Sequence, residues 1–262
     1  MKIIVCIKQV PDTNEVRLDP KTNTLIRDGV PSIINPDDKA AIETVLRLRD
    51  EAGGTVTALC MGPPQADVAL REALAMGCDE AVLVSGREFS GSDTLATSTI
   101  LAAALKKMGY DLIISGREAI DGNTAQVGPQ IAEHLGIPQV SYAEEVRCEG
   151  GALVVKRQFE DRYHLLRVEL PCLLTALSEA VQPRYMTPGG VVDAYNKEVL
   201  LLAFEDLKDL LDPKAIGLAG SPTNVVTSYA KEAKGKGEVL NSLSADEAVE
   251  AILAKLKEKH IL

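Results

Sequence analysis

The chain opens on an apolar run, Ile3 to Ile7, cut off by Lys8, Gln9 and Pro11. Apolar side chains at successive positions suit a strand covered on both faces, as in the middle of a parallel sheet. Similar runs recur over 55–61, 80–84, 111–115 and 137–140. Between them the apolar positions follow helical spacing, with recognisable starts and stops. The first helix begins at Asn35, a suitable N-cap, with Pro36 at the first helical position; it runs to about Arg49 and ends at Gly53-Gly54. Gly62-Pro63-Pro64 breaks the second strand, and a helix over 67–76 stops at Gly77. Helices over about 93–108 and about 124–135 follow, the latter closed by Gly136. Strands alternating with helices predict an α/β fold with a parallel sheet and right-handed crossovers.

Three stretches depart from this rhythm. Over 12–34, Val16-Arg17-Leu18-Asp19 and Thr24-Leu25-Ile26-Arg27 flank Pro20-Lys21-Thr22-Asn23 and predict a β-hairpin excursion. From about Ala143 to Leu170, short alternating runs carrying Val146, Leu153, Val155, Leu165, Leu166 and Val168 are separated by turns at Gly150-Gly151 and Glu160-Asp161. These predict a β-meander at the sheet edge, with one more strand over 171–176. After Leu177 the pattern loosens, punctuated by Pro183, Pro188, Pro213 and Pro222, and only Phe204 to Leu211 reads as a short amphipathic turn. So long an irregular stretch is uncommon inside a compact domain. It reads either as a loose tail or, preferably, as an arm that orders by wrapping a partner subunit. The last segment is a helix capped by Ser244-Ala245-Asp246-Glu247, with Ala248, Val249, Ile252, Leu253 and Leu256 in a stripe. The expected organisation is a nucleotide-binding α/β domain over 1–177, an extended arm over 178–243 and a C-terminal helix over 244–262.

Composition narrows the classes. Hydrophobic residues make up 46% of the chain but aromatic ones only 3%, with no tryptophan, so the core must be aliphatic. The formal net charge of −10 argues against nucleic acid as a partner, because a phosphate backbone needs a basic face. No apolar run approaches a membrane span, and the run at Ile3 to Ile7 is too short for the core of a signal peptide. The cysteines Cys6, Cys60, Cys78, Cys148 and Cys172 are odd in number and far apart, as expected of free thiols in a reducing cytoplasm. His134, His164 and His260 are equally scattered, and no metal site is expected.

One tetrapeptide occurs twice: Ser85-Gly86-Arg87-Glu88 and Ser115-Gly116-Arg117-Glu118. Each copy follows an apolar run and precedes a small polar cluster, Ser90-Gly91-Ser92-Asp93-Thr94 in one case and Asp121-Gly122-Asn123-Thr124 in the other, and each cluster opens a helix. A strand, a Gly-containing loop and a helix N-terminus cradle phosphate well, since free N–H groups and the helix dipole favour an anion. Two such cradles on neighbouring strands point to one or two nucleotides at the C-terminal edge of the sheet. Gly116 lets the backbone approach a ligand, and Gln126 can hydrogen-bond a base or ribose edge. Arg87 can neutralise phosphate, and Phe89 offers a stacking face. The bland alternative for each cluster is a well-capped helix start without a ligand. No nucleophile–base pair stands out.

Several segments in order resemble the beta subunit of the electron-transfer flavoprotein family. They are Cys6-Ile7-Lys8-Gln9-Val10, Ile34-Asn35-Pro36-Asp37-Asp38-Lys39-Ala40-Ala41, Ala73-Leu74-Ala75-Met76-Gly77-Cys78-Asp79, the block from Gly116 to Pro129, and Glu179-Ala180-Val181-Gln182-Pro183-Arg184-Tyr185. The resemblance covers essentially the whole chain. It implies a Rossmann-like (adenine nucleotide alpha hydrolase-like) α/β domain that pairs with an alpha subunit as a heterodimer. It also implies an adenine nucleotide held by Cys6, Asn35, Asp38, Met61, Gly116, Arg117, Glu118, Ala119, Ile120, Asp121, Gly122, Asn123, Thr124, Gln126 and Val127.

The family has two branches. Housekeeping members keep AMP at this site as a structural ligand and tend to carry a bulky Phe after Asn-Pro. The bifurcating branch holds FAD, with NADH beside it. Asn35-Pro36-Asp37-Asp38 looks like the latter, as does the Gly/Ser-rich stretch that would take NADH on Gly86, Arg87, Glu88, Phe89, Ser90, Gly91, Ser92, Asp93 and Thr94. What this branch implies is hydride transfer from NADH to FAD. One electron then passes to ferredoxin or flavodoxin, and the other passes through the alpha subunit's FAD to an acyl-CoA dehydrogenase. The alternatives are a housekeeping subunit holding AMP and a stand-alone adenine-nucleotide module; the arm after Leu177 speaks against the module. In the family an exposed Leu follows Pro-Arg-Tyr and anchors on acyl-CoA dehydrogenases. Here Pro188 stands near that position, and Met186 is the candidate apolar contact.

Overall fold

The structure, a computed structural model, describes residues 1–12, 31–223, 235, 237 and 239–262. In chain order its main elements are β1 (Lys2–Ile7), β2 (Gln9–Pro11), β3 (Ser32–Ile34), α1 (Pro36–Ala52), β4 (Thr55–Met61), α2 (Asp67–Met76), β5 (Glu80–Val84) and α3 (Thr94–Met108). There follow β6 (Leu112–Gly116), α4 (Val127–Leu135), β7 (Gln139–Glu149), β8 (Ala152–Phe159), β9 (Arg162–Val168) and β10 (Cys172–Ala176). The chain continues with α5 (Pro188–Asn196), β11 (Val199–Leu202), α6 (Phe204–Leu207) and α7 (Ala245–Glu258).

A nine-stranded sheet runs β11-β5-β4-β1-β6-β10-β7-β8-β9. Its strands are parallel from β11 to β7, and β8 and β9 continue antiparallel, which is the expected meander. The apolar runs read as central strands are central because alternate side chains enter different cores. Ile3, Val5 and Ile7 join one cluster with Ile42, Val45 and Leu46 of α1 and Leu70 of α2. Ile4 and Cys6 join the other, with Ile100 and Leu105 of α3 and Ile131 of α4. From β1 the chain steps outward to β4 and β5 on one side, then α3 carries it back across the sheet to β6 on the other side of β1. The loops leaving β1 and β6 therefore diverge, and in open α/β sheets this reversal at the carboxyl ends is where ligands bind.

Three differences from the sequence reading have local causes. α4 starts at Val127 rather than near Thr124, because Asn123 (φ 47°) and Ala125 (φ 51°) are left-handed and cannot lie in a helix. The strand expected over 137–140 runs on as the long β7, paired to β10 in its first part and to β8 in its second, with a register shift in each pairing. The stretch after Leu177 is more regular than its pattern suggests. Thr187 caps α5 by accepting from the Gly190 N–H, Pro188 takes the first helical position, and Val199–Leu202 adds a parallel edge strand to β5.

Most of the hairpin expected over 12–34 lies outside the described residues; the flanking β2 and β3 pair antiparallel. The described residues up to Thr223 group as one compact unit, whereas 239–262 belong to a second. In the second, α7 opens on a complete capping box between Ser244 and Glu247, and Val249, Ile252 and Leu253 are exposed. Among the described residues no helix is long and apolar enough to cross a membrane, and no group of three His, Cys, Asp or Glu side chains could hold a metal ion.

Candidate functional site

The crevice beside β1 and β6 is built from the first turn of α1. Pro36 presets the helix start and Asp37 and Asp38 follow it, where carboxylates suit the positive end of the helix dipole. Their side chains reach across to backbone. Asp38 Oδ2 accepts from the Lys8 N–H at the end of β1 (2.8 Å) and Oδ1 from the Gly116 N–H at the end of β6 (2.8 Å), so one carboxyl group fastens the two diverging strands. Asp37 Oδ1 accepts from the Ser178 N–H (3.0 Å) and Oδ2 from the Glu118 N–H (3.3 Å). The guanidinium of Arg117 lies near it, its Nε buried without a hydrogen bond, 3.5 Å from Asp37 Oδ2. Asn35 is the N-cap residue but makes no capping bond with its side chain. Instead its Nδ2 donates to the Glu118 carbonyl (2.8 Å) and its Oδ1 accepts from the Ile120 N–H (3.0 Å).

Asn35, Asp37 and Asp38 are all buried. Asn35 and Asp38, expected as cofactor contacts, thus have polar atoms engaged on the backbone of the 116–120 loop and, for Asp38, on Lys8 at the end of β1. Burial pushes the Asp38 carboxyl up to about 7, against the pull of the N–H donors of Lys8 and Gly116 and with a further push from Asp37. Cys6 is also buried; burial, then Asp38, raises its thiol far above the usual range, so it packs as a neutral thiol. Met61 is half-buried against the same core. Gly116 is obligatory by space: a Cβ there would lie 2.4 Å from Asp38 Oδ1 and 2.6 Å from Asp37 Cβ.

Beyond Glu118 the loop opens outward. The N–H groups of Gly122 and Asn123 both donate to the Ala119 carbonyl (3.1 and 2.8 Å), and Lys8 Nζ pairs with Asp121 Oδ1 at 2.7 Å. Ile120 to Thr124 and Gln126 are exposed. A non-glycine residue such as Ala125 in the left-handed region marks local strain of the kind found at binding loops. Among the described residues no hydrogen bond uses the N–H groups of residues 124–128. Gly128 seats the first turn of α4 tightly on the sheet, since a Cβ would lie 2.7 Å from Thr175 Cγ2 and 2.9 Å from Ser115 Oγ.

The second cradle, 85–94, does not sit on a neighbouring strand: β4 and β1 separate β5 from β6. The two loops nevertheless meet, because α3 begins its return there, and the Thr94 hydroxyl donates to Gln126 Oε1 (2.8 Å). Arg87, Glu88, Ser90 and Gly91 are exposed, with Gly86 half-buried. Phe89 is not a stacking face: its ring is buried and meets Phe204 edge-on at 6.4 Å. Ser92 turns inward to the Phe89 carbonyl (2.8 Å), and Asp93 caps α3 through the Ala96 N–H (3.0 Å).

A model of the electron transfer flavoprotein domain matches residues 22–200 of the chain. The chain is 54% identical, over the full length of both proteins, to an electron transfer flavoprotein subunit beta of Clostridium acetobutylicum. The chain belongs to the electron transfer flavoprotein family. It is also 52% identical to the caffeyl-CoA reductase-Etf complex subunit CarD of Acetobacterium woodii and 51% identical to the acryloyl-CoA reductase electron transfer subunit gamma of Anaerotignum propionicum, again over the whole of each chain. Membership of this family places the protein in electron transfer.

Against that family identity, the crevice is chemically suited to a nucleotide. Unused N–H groups at a helix start favour phosphate, and Gly122 leaves open space where a side chain would stand. Asp37, Lys8 and Ser178 are site-building residues that sequence reasoning missed. Asp37 lay inside a quoted motif, but its bond to Ser178 joins positions far apart in the chain, and no local pattern announces it. That bond also ties the start of α1 to the segment that reaches the exposed Tyr185 and Met186. The same segment is pinned again where Arg184 donates from Nε to Glu43 Oε2 (2.8 Å) and pairs with Asp50 (3.0 Å). Burial alone would raise the Glu43 carboxyl; hydrogen bonds from Arg184 and Arg47 outweigh it and hold the group below its ordinary range. Arg184→Met is expected to cost about 2 kcal/mol, as for loss of hydrogen bonds between charged groups. A urea melt that matches the parent would show the pin to be dispensable.

Proposed function

We propose that this chain is the beta subunit of an electron-bifurcating electron transfer flavoprotein, paired with an alpha subunit. In this reading FAD lies in the crevice between the ends of β1, β4 and β6, NADH binds beside it on the 86–94 loop, and a second FAD belongs to the alpha subunit. The electrons go to ferredoxin or flavodoxin and to an acyl-CoA dehydrogenase. The observation that carries the reading is the meeting of the two loops at the Thr94–Gln126 hydrogen bond, which makes one continuous rim from two cradles. The similarity to subunits named for caffeyl-CoA and acryloyl-CoA reductases supports the same branch.

When bound, the flavin would supply the acceptance of a hydride and the release of single electrons. The chain's residues supply position. The free N–H groups of 124–128 suit the cofactor's phosphates, and the exposed Arg87 suits a second anion at the adjoining loop. Asn35, Asp37 and Asp38 hold the 116–120 loop in one shape, the rigid support that a redox site needs. Tyr185 and Met186, exposed on a segment pinned to α1, suit docking of the dehydrogenase. The cysteines, all free thiols, fit a cytoplasmic protein.

The test is the cofactor content of the purified two-subunit complex, followed by anaerobic addition of NADH. Two FAD per heterodimer and bleaching of the flavin absorbance by NADH are expected. One FAD with AMP, and no bleaching, would replace this reading with the housekeeping one.

A further inference from the structure

The 86–94 loop does little to hold its own shape. Its internal support is the single turn over Arg87–Phe89 and the bond from Ser92 to the Phe89 carbonyl. Besides Thr94–Gln126 and Phe89–Phe204, its outer contacts come from a segment remote in sequence, 217–223. The Leu218 N–H donates to the Ser90 carbonyl (3.1 Å). Ser221 Oγ accepts from the Asp93 N–H (2.8 Å), and the carbonyls of Gly217 (2.7 Å) and Gly91 (3.2 Å) lie within reach of its own proton. The Thr223 N–H donates to Asp93 Oδ2 (3.0 Å), while Asp93 Oδ1 caps α3. The approach is close because Gly217 (φ 60°) has no side chain: a Cβ would lie 2.3 Å from the Glu88 carbonyl oxygen. Burial alone would raise the Asp93 carboxyl, but the N–H donors of Ala96 and Thr223 outweigh it and hold the group low, so both oxygens stay engaged as acceptors.

We infer that Ser221 is a positioning residue of the nicotinamide nucleotide site, holding segment 217–223 against the 86–94 loop and so setting the shape that loop offers to NADH. The inference rests on the reading of 86–94 as the NADH loop. A hydroxyl is needed because it accepts from one loop N–H and donates to a carbonyl at once, which no alkyl side chain can do. Ser221 touches no cofactor atom in this role; it acts through Gly91 and Asp93.

The experiment is anaerobic titration of the FAD-loaded two-subunit complex with NADH, read by flavin bleaching, for Ser221→Ala, Ser221→Thr and Arg87→Ala. Ser221→Ala is expected to raise the half-saturating NADH concentration about five-fold, the size of one lost hydrogen bond, with FAD content and limiting bleaching rate unchanged. Ser221→Thr, which keeps the hydroxyl, restores the parent value. Arg87→Ala, on the exposed rim of the same loop, raises the half-saturating concentration independently. If Arg87→Ala weakens NADH binding and Ser221→Ala does not, the loop reading stands and the role of Ser221 is overturned. If neither variant shifts the titration, or the parent is not bleached at all, the loop reading falls and the inference with it. Loss of FAD or early melting in Ser221→Ala without rescue by threonine would make the residue structural only and overturn its role.

Discussion

Gly116→Ala is expected to destabilise the protein by about 3 kcal/mol and, on the proposed reading, to strip the complex of the flavin assigned to this crevice. The added methyl would lie 2.4 Å from Asp38 Oδ1, 2.6 Å from Asp37 Cβ and 2.8 Å from the Asp37 carbonyl carbon. Two of these neighbours are not the free end of a flexible chain. Asp37 Cβ and its backbone belong to the first turn of α1, and Asp38 Oδ1 is held by the Gly116 N–H itself. Relief therefore requires β6 and α1 to part, which breaks the bond between Gly116 and Asp38 and pulls Glu118 and Ile120 away from Asn35. The measurement is a urea melt together with the flavin-to-protein ratio of the complex. A variant with the parent's midpoint and full flavin would mean that the end of β6 is looser than its packing implies.

Asp38→Ala is expected to cost about 2–3 kcal/mol, because it leaves the buried Gly116 N–H, and the part-buried Lys8 N–H, without an acceptor. Asp38→Asn should cost less, since the amide keeps one acceptor oxygen but faces the other N–H with a donor. The carboxyl also carries a pH signature. Its folded value of about 7 lies above the ordinary 3.8, so between these pH values the folded state binds the proton more strongly than the unfolded chain. The sign follows: this group's contribution to stability is greatest below about pH 4, declines as pH rises towards 7, and is flat above that. Asp38→Asn removes the slope. The check is the difference in urea midpoint between parent and Asp38→Asn at pH 5 and pH 8; the parent's advantage should shrink at the higher pH. An advantage that grows with pH would mean that the two N–H donors and the helix dipole hold the carboxylate ionised.

These predictions share one cause. A single helix start supplies Asn35, Asp37 and Asp38, and each side chain fixes backbone on another element. As a set they make the crevice wall stiff, while the exposed Arg87 and the N–H groups of 124–128, which no hydrogen bond uses among the described residues, are available to a ligand. The helix start at Asn-Pro-Asp-Asp was readable from local pattern, and the family resemblance pointed to Asn35 and Asp38 within it. Their actual partners were not readable, because hydrogen bonds to loop backbone leave no periodicity behind. Phe89 shows the converse. An aromatic residue in a Gly/Ser-rich loop suggests a stacking face, yet apolar area is better buried, and the core beneath β5 offers Phe204 as its partner.

Local pattern by itself determined the parallel α/β core, the order of its strands along the chain, the meander and the capped start of α7, because periodicity and capping act over one or two turns of chain. It also determined the family, since several short segments agree in order over the whole length. Tertiary structure alone decided that the two Ser-Gly-Arg-Glu loops lie on strands separated by β4 and β1 yet touch at Thr94 and Gln126. It alone placed Val199–Leu202 on the sheet edge and segment 217–223 against the 86–94 loop. Such pairings join residues distant along the chain, and they are chosen by which surfaces the packed sheet leaves within hydrogen-bond reach.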